Sequence, residues 1–149
     1  MKFEKFVKRI GVHGKISKDG DRPWLICNGV GMLVPEGVKP FGNVDEPTSL
    51  MRAILNADIE EDELHLTRAS LPYADSKPAD IVRVFTTDDG DEIGISNENF
   101  GLIEKDDRLV YLEVEISDEN TEKFILVTDR MSDTIVGFIN ETLLNYQED

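Results

Sequence analysis

Apolar residues recur along this chain in two rhythms. In the opening MKFEKFVKRIG, Phe3, Phe6, Val7 and Ile10 fall on one side at helical spacing, and Lys2, Lys5, Lys8 and Arg9 fall on the other. Gly11 stands where a helix C-cap glycine belongs. So short a helix is marginal alone and must dock on something. DEPTSLMRAILNAD repeats the helical rhythm through Leu50, Met51, Ile54 and Leu55. Asp45 is expected to cap this second helix, with Pro47 in its first turn.

Elsewhere the rhythm is two. HGKIS and PWLIC flank KDGDR, whose Asp19-Gly20 signals a hairpin turn. ELHLTRAS reads as a strand. DIVRVFTTDDGDEIGIS reads as a hairpin turning at Asp89-Gly90, after which Ser96 can cap a brief helical turn in NENFGLIE. RLVYLEVEIS alternates most clearly, with Glu113 and Glu115 on its more polar face, and KFILVTD is expected to pair with it antiparallel.

Three stretches break the pattern. Residues 28–43, NGVGMLVPEGVKPFGN, hold four glycines and two prolines. They read as a long loop around a short GMLVP strand. Residues 72–80 read as a linker or exposed loop. TIVGFINETLLNYQED fits either a strand to about residue 139 or a helix from 134, and Gly137 inside a helix would cost about 1 kcal/mol relative to Ala. The expected fold is α+β: a predominantly antiparallel β-sheet with two or three short helices packed on it. The chain is read as a single domain over 1–149, or as two sub-halves joined near 72–80.

Charge alters this picture. The 149 residues carry a formal net charge of −15. Residues 1–39 hold eight Lys/Arg against four Asp/Glu, whereas residues 40–149 hold eight against 27. An acidic body repels nucleic acid and anionic lipid and attracts basic surfaces. The opening helix then has three readings: it completes the core, its basic face meets another copy or another protein, or it meets nucleic acid or lipid. The third conflicts with the acidic body.

Reactive chemistry is sparse. The single cysteine, Cys27, makes no internal disulfide, and its simplest reading is a buried structural thiol. NGVGM lacks the third glycine of a dinucleotide motif. Glu61 and His65 have the spacing of two metal ligands on a helix, but Leu64 and Leu66 flank His65 as in a strand. DDGDE lacks the spacing of a calcium loop and fits a turn. No catalytic residue, cofactor or metal site is assigned. No apolar run reaches the length of a membrane span, and the opening residues lack a signal peptide's apolar core.

The sequence therefore points to a cytoplasmic, non-catalytic subunit that works through protein–protein contacts. Small size, acidity, tight turns and the lack of a catalytic motif are shared by structural and accessory proteins of phages and mobile elements. The expected partner is a protein, a second copy of the chain included, with no direct nucleic-acid and no membrane contact. The candidate contact residues are Trp24, Met32, Leu33 and Phe41 in and near the glycine-rich stretch, and Lys2, Lys5 and Arg9 on the basic helix face. The alternative is an acidic mimic of nucleic acid that inhibits a DNA-binding protein, using Glu113, Glu115, Asp88, Asp89, Asp91 and Glu92. A small enzyme or metal-binding protein ranks third.

Overall fold

In the computed structural model, residues 1–11, 13–19, 22–38, 44–56, 63–70, 81–129, 131 and 134–142 are described. Phe41 and the 72–80 stretch lie outside them. Helix α1 (Phe3–Ile10) leads into hairpin strands β1 (Lys15–Asp19) and β2 (Arg22–Cys27), then β3 (Val30–Leu33) and the two-residue β4 (Val44–Asp45). Helix α2 (Ser49–Leu55) precedes β5 (His65–Ser70), β6 (Val82–Thr86), β7 (Glu92–Ser96) and the single-turn α3 (Asn97–Phe100). Strands β8 (Arg108–Ser117), β9 (Asn120–Thr128) and β10 (Ile135–Asn140) follow.

These strands form two sheets. One has seven strands in the order β4-β1-β2-β3-β10-β9-β8, and the other has three in the order β5-β6-β7. Every pairing is antiparallel except β1 with β4, so the larger sheet is mixed. The fold is α+β and mostly β.

The seven-stranded sheet is buried on both faces. Against one face, Phe6 and Ile10 of α1, Phe85, Ile93 and Ile95 of the small sheet, and Leu102 meet Val30, Met32, Ile125, Val127 and Ile139. Against the other, Met51 and Ile54 of α2 meet Trp24, Phe124, Leu126, Ile135 and Phe138. Each cluster draws residues from before and after 72–80. Strand alternation sends successive side chains to opposite faces, which assigns Phe124 and Leu126 to one core and Ile125 and Val127 to the other.

Strand β10 obeys this rule only because it is bulged. Ile135 sits opposite Thr128 and Gly137 opposite Val127, so β10 carries one extra residue at Val136. The shift lets Ile135 and Phe138, three apart, share the α2 face. The open question between strand and helix is resolved as a strand over Ile135–Asn140, while residues 143–149 lie outside the described residues.

Two glycines clear space for this packing. The Phe138 ring lies over Gly31, its cross-strand partner, so that a Cβ on Gly31 would stand 2.3 Å from Phe138 Cε1. The Met1 side chain lies over Gly137 in the same way. Asn28 and Gly29, with φ of 50° and 77°, make the two-residue turn between Cys27 and Val30. The stretch read as a long loop therefore begins with a tight hairpin, β2–β3.

The local caps correct one expectation and meet another. Thr48, not Asp45, caps α2: its Oγ1 accepts from Met51 N at 3.1 Å, while Asp45 belongs to β4 and Pro47 precedes the cap. Ser96 caps α3 by accepting from Asn99 N at 3.2 Å. Gly11 ends α1 with φ 55°, and Gly90 turns the β6–β7 hairpin with φ 93°.

Gly31→Ala is expected to destabilise the fold by about 1–3 kcal/mol, the usual cost of overpacking a filled core. Thr48→Ala should cost about 0.5–2 kcal/mol through the lost cap. Urea denaturation followed by far-UV circular dichroism measures both. An unchanged midpoint for Gly31→Ala contradicts the close seating of Phe138.

Candidate functional site

Two clefts open at the two ends of α1. The helix packs by its buried Phe6 and Ile10, and its flank is tied to the α3 turn. Lys2 N donates to Leu102 O at 2.8 Å, Lys5 Nζ to Gly101 O at 3.2 Å and Arg9 Nη2 to Asn99 Oδ1 at 2.8 Å. The Arg9 guanidinium also covers the Phe6 ring, 5.7 Å from its centroid. Lys2, Lys5, Lys8 and Arg9 all remain exposed. The helix thus completes the core while presenting its cations to solvent.

The first cleft, about 350 Å³, lies at the start of α1. Met1, Phe3, Met32, Leu33, Pro35 and Val136 give it an apolar lining, and Glu104, Asp106, Asp107 and Asp129 bring carboxylates to it. Asp107 is engaged: its Oδ2 lies 2.9 Å from the Met1 ammonium, and its Oδ2 also accepts from Glu104 N at 2.8 Å. Glu104 is farther from that ammonium, at 3.7 Å, with its side chain 54% exposed. Asp106 and Asp129 are exposed. Asp129 Oδ1 accepts from Met131 N at 3.0 Å, which places a methionine 93% exposed next to the rim. An apolar floor ringed by carboxylates, with an apolar side chain at its edge, suits a cationic group carried on an aliphatic stem.

The second cleft, about 360 Å³, lies at the other end of α1. Arg9, His13, Cys27, Asn28, Glu98 and Asn99 are among its lining residues. Cys27 is half-buried rather than fully enclosed. Mixed donors and acceptors there can hydrogen-bond a polar group. Among the described residues, no three of His, Cys, Asp and Glu cluster closely enough to hold a metal ion. His65 opens β5, and Glu61 lies outside the described residues.

The carboxylates named for mimicry also come together. Lys123 stands directly across from Glu113 in the β8–β9 ladder, and its Nζ donates to Glu92 O at 3.4 Å. Thr121 Oγ1 donates to Glu113 Oε1 at 3.2 Å. The β8–β9 hairpin, with Glu113 and Glu115, therefore adjoins the turn end of the β6–β7 hairpin, whose Asp88, Asp89, Asp91 and Glu92 are exposed. Two acidic segments distant in sequence share one surface.

The candidate contact residues divide. Met32 and Leu33 meet in the first cleft, Met32 being 1% exposed and Leu33 half-buried. Trp24 is an interior residue, 0% exposed, stacked on Phe138 at 6.1 Å and covered by the Arg22 guanidinium at 5.8 Å. Its aromatic surface is spent on the α2 core, and its Nε1 has no hydrogen-bond partner. Phe41 lies outside the described residues. Sequence reading missed Glu104, Asp106, Asp107, Asp129 and Met131; the available signal was EKDDR ahead of the most regular strand.

No helix among the described residues is long and apolar enough to cross a membrane. Comparison with protein-family models, with curated proteins and with solved structures gave no match.

Trp24 is the chain's single tryptophan, so its fluorescence reports this interior directly. Native emission is expected to be blue-shifted and resistant to acrylamide, becoming red-shifted and quenchable in urea. Quenching of the native state as fast as the unfolded one contradicts the burial.

Proposed function

We propose that this chain is a non-catalytic protein-interaction module and that its contact is the first cleft, at the start of α1. The observation that carries the reading is the pairing of an apolar floor with a carboxylate rim beside exposed Met131. Large apolar side chains are otherwise mostly enclosed: among the described residues only Val38, Val44, Leu66 and Met131 stand out as exposed large hydrophobics. A fully exposed methionine costs the fold nothing to lose, and adaptable thioether side chains are common at recognition surfaces. Its partner is a protein segment bearing lysine or arginine among apolar residues. Attraction between such a segment and a chain of charge −15 speeds encounter, while the apolar floor sets residence.

A basic amphipathic peptide alternating lysine and leucine tests this by titration calorimetry. Met131→Ser and the pair Glu104→Gln/Asp106→Asn are each expected to weaken binding about fivefold or more, the loss of roughly 1 kcal/mol. Neutralising the hairpin surface, Glu113→Gln/Glu115→Gln, should leave affinity within about twofold, since exposed charges more than a Debye length away are screened. Equal losses from both surfaces reduce the effect to net charge and remove the cleft from the reading.

A second reading rests on a different observation, the adjoining acidic hairpins. Carboxylates on the β8–β9 ladder and at the β6–β7 turn can stand in for phosphates against a DNA-binding protein. Wild-type chain is then expected to displace labelled duplex from a basic DNA-binding domain of the native source. The variant Asp89→Asn/Asp91→Asn/Glu113→Gln/Glu115→Gln should fail to do so. Displacement by both chains alike, or by neither, removes this reading.

A further inference from the structure

We infer that Met131 is an oxidation site that controls the first cleft: converting its thioether to the sulfoxide releases the bound segment, and reducing it restores binding. The inference rests on the reading of that cleft as a protein-binding site.

The chain has four methionines, and exposure separates them sharply. Met32 and Met51 are 1% and 2% exposed, one in each of the two cores. The Met1 side chain is 3% exposed and lies over Gly137. Met131 is 93% exposed. A peroxide must reach the sulfur to react, so susceptibility follows exposure, and Met131 is the one thioether of the four that stands open. The step is a transfer of one oxygen atom from hydrogen peroxide. A sulfur–oxygen bond forms, the O–O bond breaks, and the second oxygen leaves with both hydrogens as water. Sulfur is oxidised by two electrons and the peroxide is reduced. Reductases that act on methionine sulfoxide reverse the change.

The setting of Met131 couples this step to the cleft and spares the fold. Met131 stands between β9 and β10, where Asp129 N donates to Thr134 O at 2.9 Å. Asp129 Oδ1 accepts from Met131 N at 3.0 Å, and the same Asp129 lines the cleft. The backbone of Met131 is therefore tied to a rim carboxylate, while its side chain belongs to neither core. Oxidation replaces an apolar side chain with a polar one at that border. Set against the apolar residues of a bound segment, the sulfoxide oxygen would be desolvated without a donor, which opposes the contact. No core residue has to move for this to happen.

Brief treatment of the full chain with hydrogen peroxide, followed by peptide mapping in the mass spectrometer, reads the selectivity. Met131 is expected to gain one oxygen at least about tenfold faster than Met1, Met32 or Met51 in the native chain, and at a similar rate to them in urea. The alternating lysine–leucine peptide then reads the consequence by calorimetry. Its affinity should fall about fivefold on oxidation and return after treatment with methionine sulfoxide reductases. Saturating peptide should in turn slow the oxidation of Met131. Met131→Leu keeps an apolar side chain at the border without the sulfur. It should bind as wild type does and hold its affinity through peroxide, although its half-buried Cys27 meets the same oxidant. Equal oxidation of all four native methionines, undiminished binding by the Met131 sulfoxide, or an equal loss in Met131→Leu each overturns the inference and leaves the cleft standing. An untreated wild type that does not bind the peptide ends both.

Discussion

Strand β9 has to satisfy two cores at once, and most of the structure follows from that demand. Its residues Phe124, Ile125, Leu126 and Val127 are each 1% exposed or less. Because alternation in a strand is strict, the two even-numbered residues must find cover on one face and the two odd-numbered residues on the other. Helix α2 supplies the first cover, and α1 with the small sheet supplies the second. Fully burying four such side chains is worth about 1.5–3 kcal/mol each relative to exposure, so removing either layer would strand a large part of the fold's driving force. The Val136 bulge and the bare Cα of Gly31 are local consequences: they let β10 and β3 fill the space around Phe138 without breaking the ladder.

How far this was legible depended on how local the determinant was. Period-two runs, the Asp89-Gly90 turn, the Ser96 cap and the docked face of α1 are written in short windows, and those elements stand where the sequence put them. The α2 cap was misplaced because Asp45, Pro47 and Thr48 all carry helix-start signals, and the choice among them rests on β4 pairing with β1. Asn28-Gly29 was a sufficient hairpin signal that the surrounding glycines and prolines masked. The strand at the end was undecidable locally, since TIVGFI fits both periods. Only pairing with β9 and β3 selects one.

The candidate site was less legible than the fold. Met32 and Leu33 were visible as apolar residues in an unusual segment, but their rim comes from residues 104–107 and 129, more than seventy positions away. No window on the chain contains both. Trp24 shows the converse error: an aromatic beside a glycine-rich stretch resembles an anchor, yet the β2 register sends it to the α2 core. Its unpartnered indole N–H carries a desolvation cost of about 1–3 kcal/mol, which stacking on Phe138 and the Arg22 cation help to offset.

A sheet covered on both faces leaves little apolar side chain for the surface, and this limits what kind of contact the molecule can make. Among the described residues no extended apolar patch is left for such a contact, because most of their large hydrophobics are inside. What remains outside is charge, unevenly divided, with a few isolated apolar points such as Met131. Exposed ion pairs are individually weak, typically below about 1 kcal/mol, so a useful contact of this kind needs several at once and a surface that holds them in register. Asp107 and Asp129 accept from the backbone N–H groups of Glu104 and Met131, and Lys5 and Arg9 donate to Gly101 O and Asn99 Oδ1. The same packing that exhausted the apolar residues therefore supplies the rigidity that lets weak charges act together.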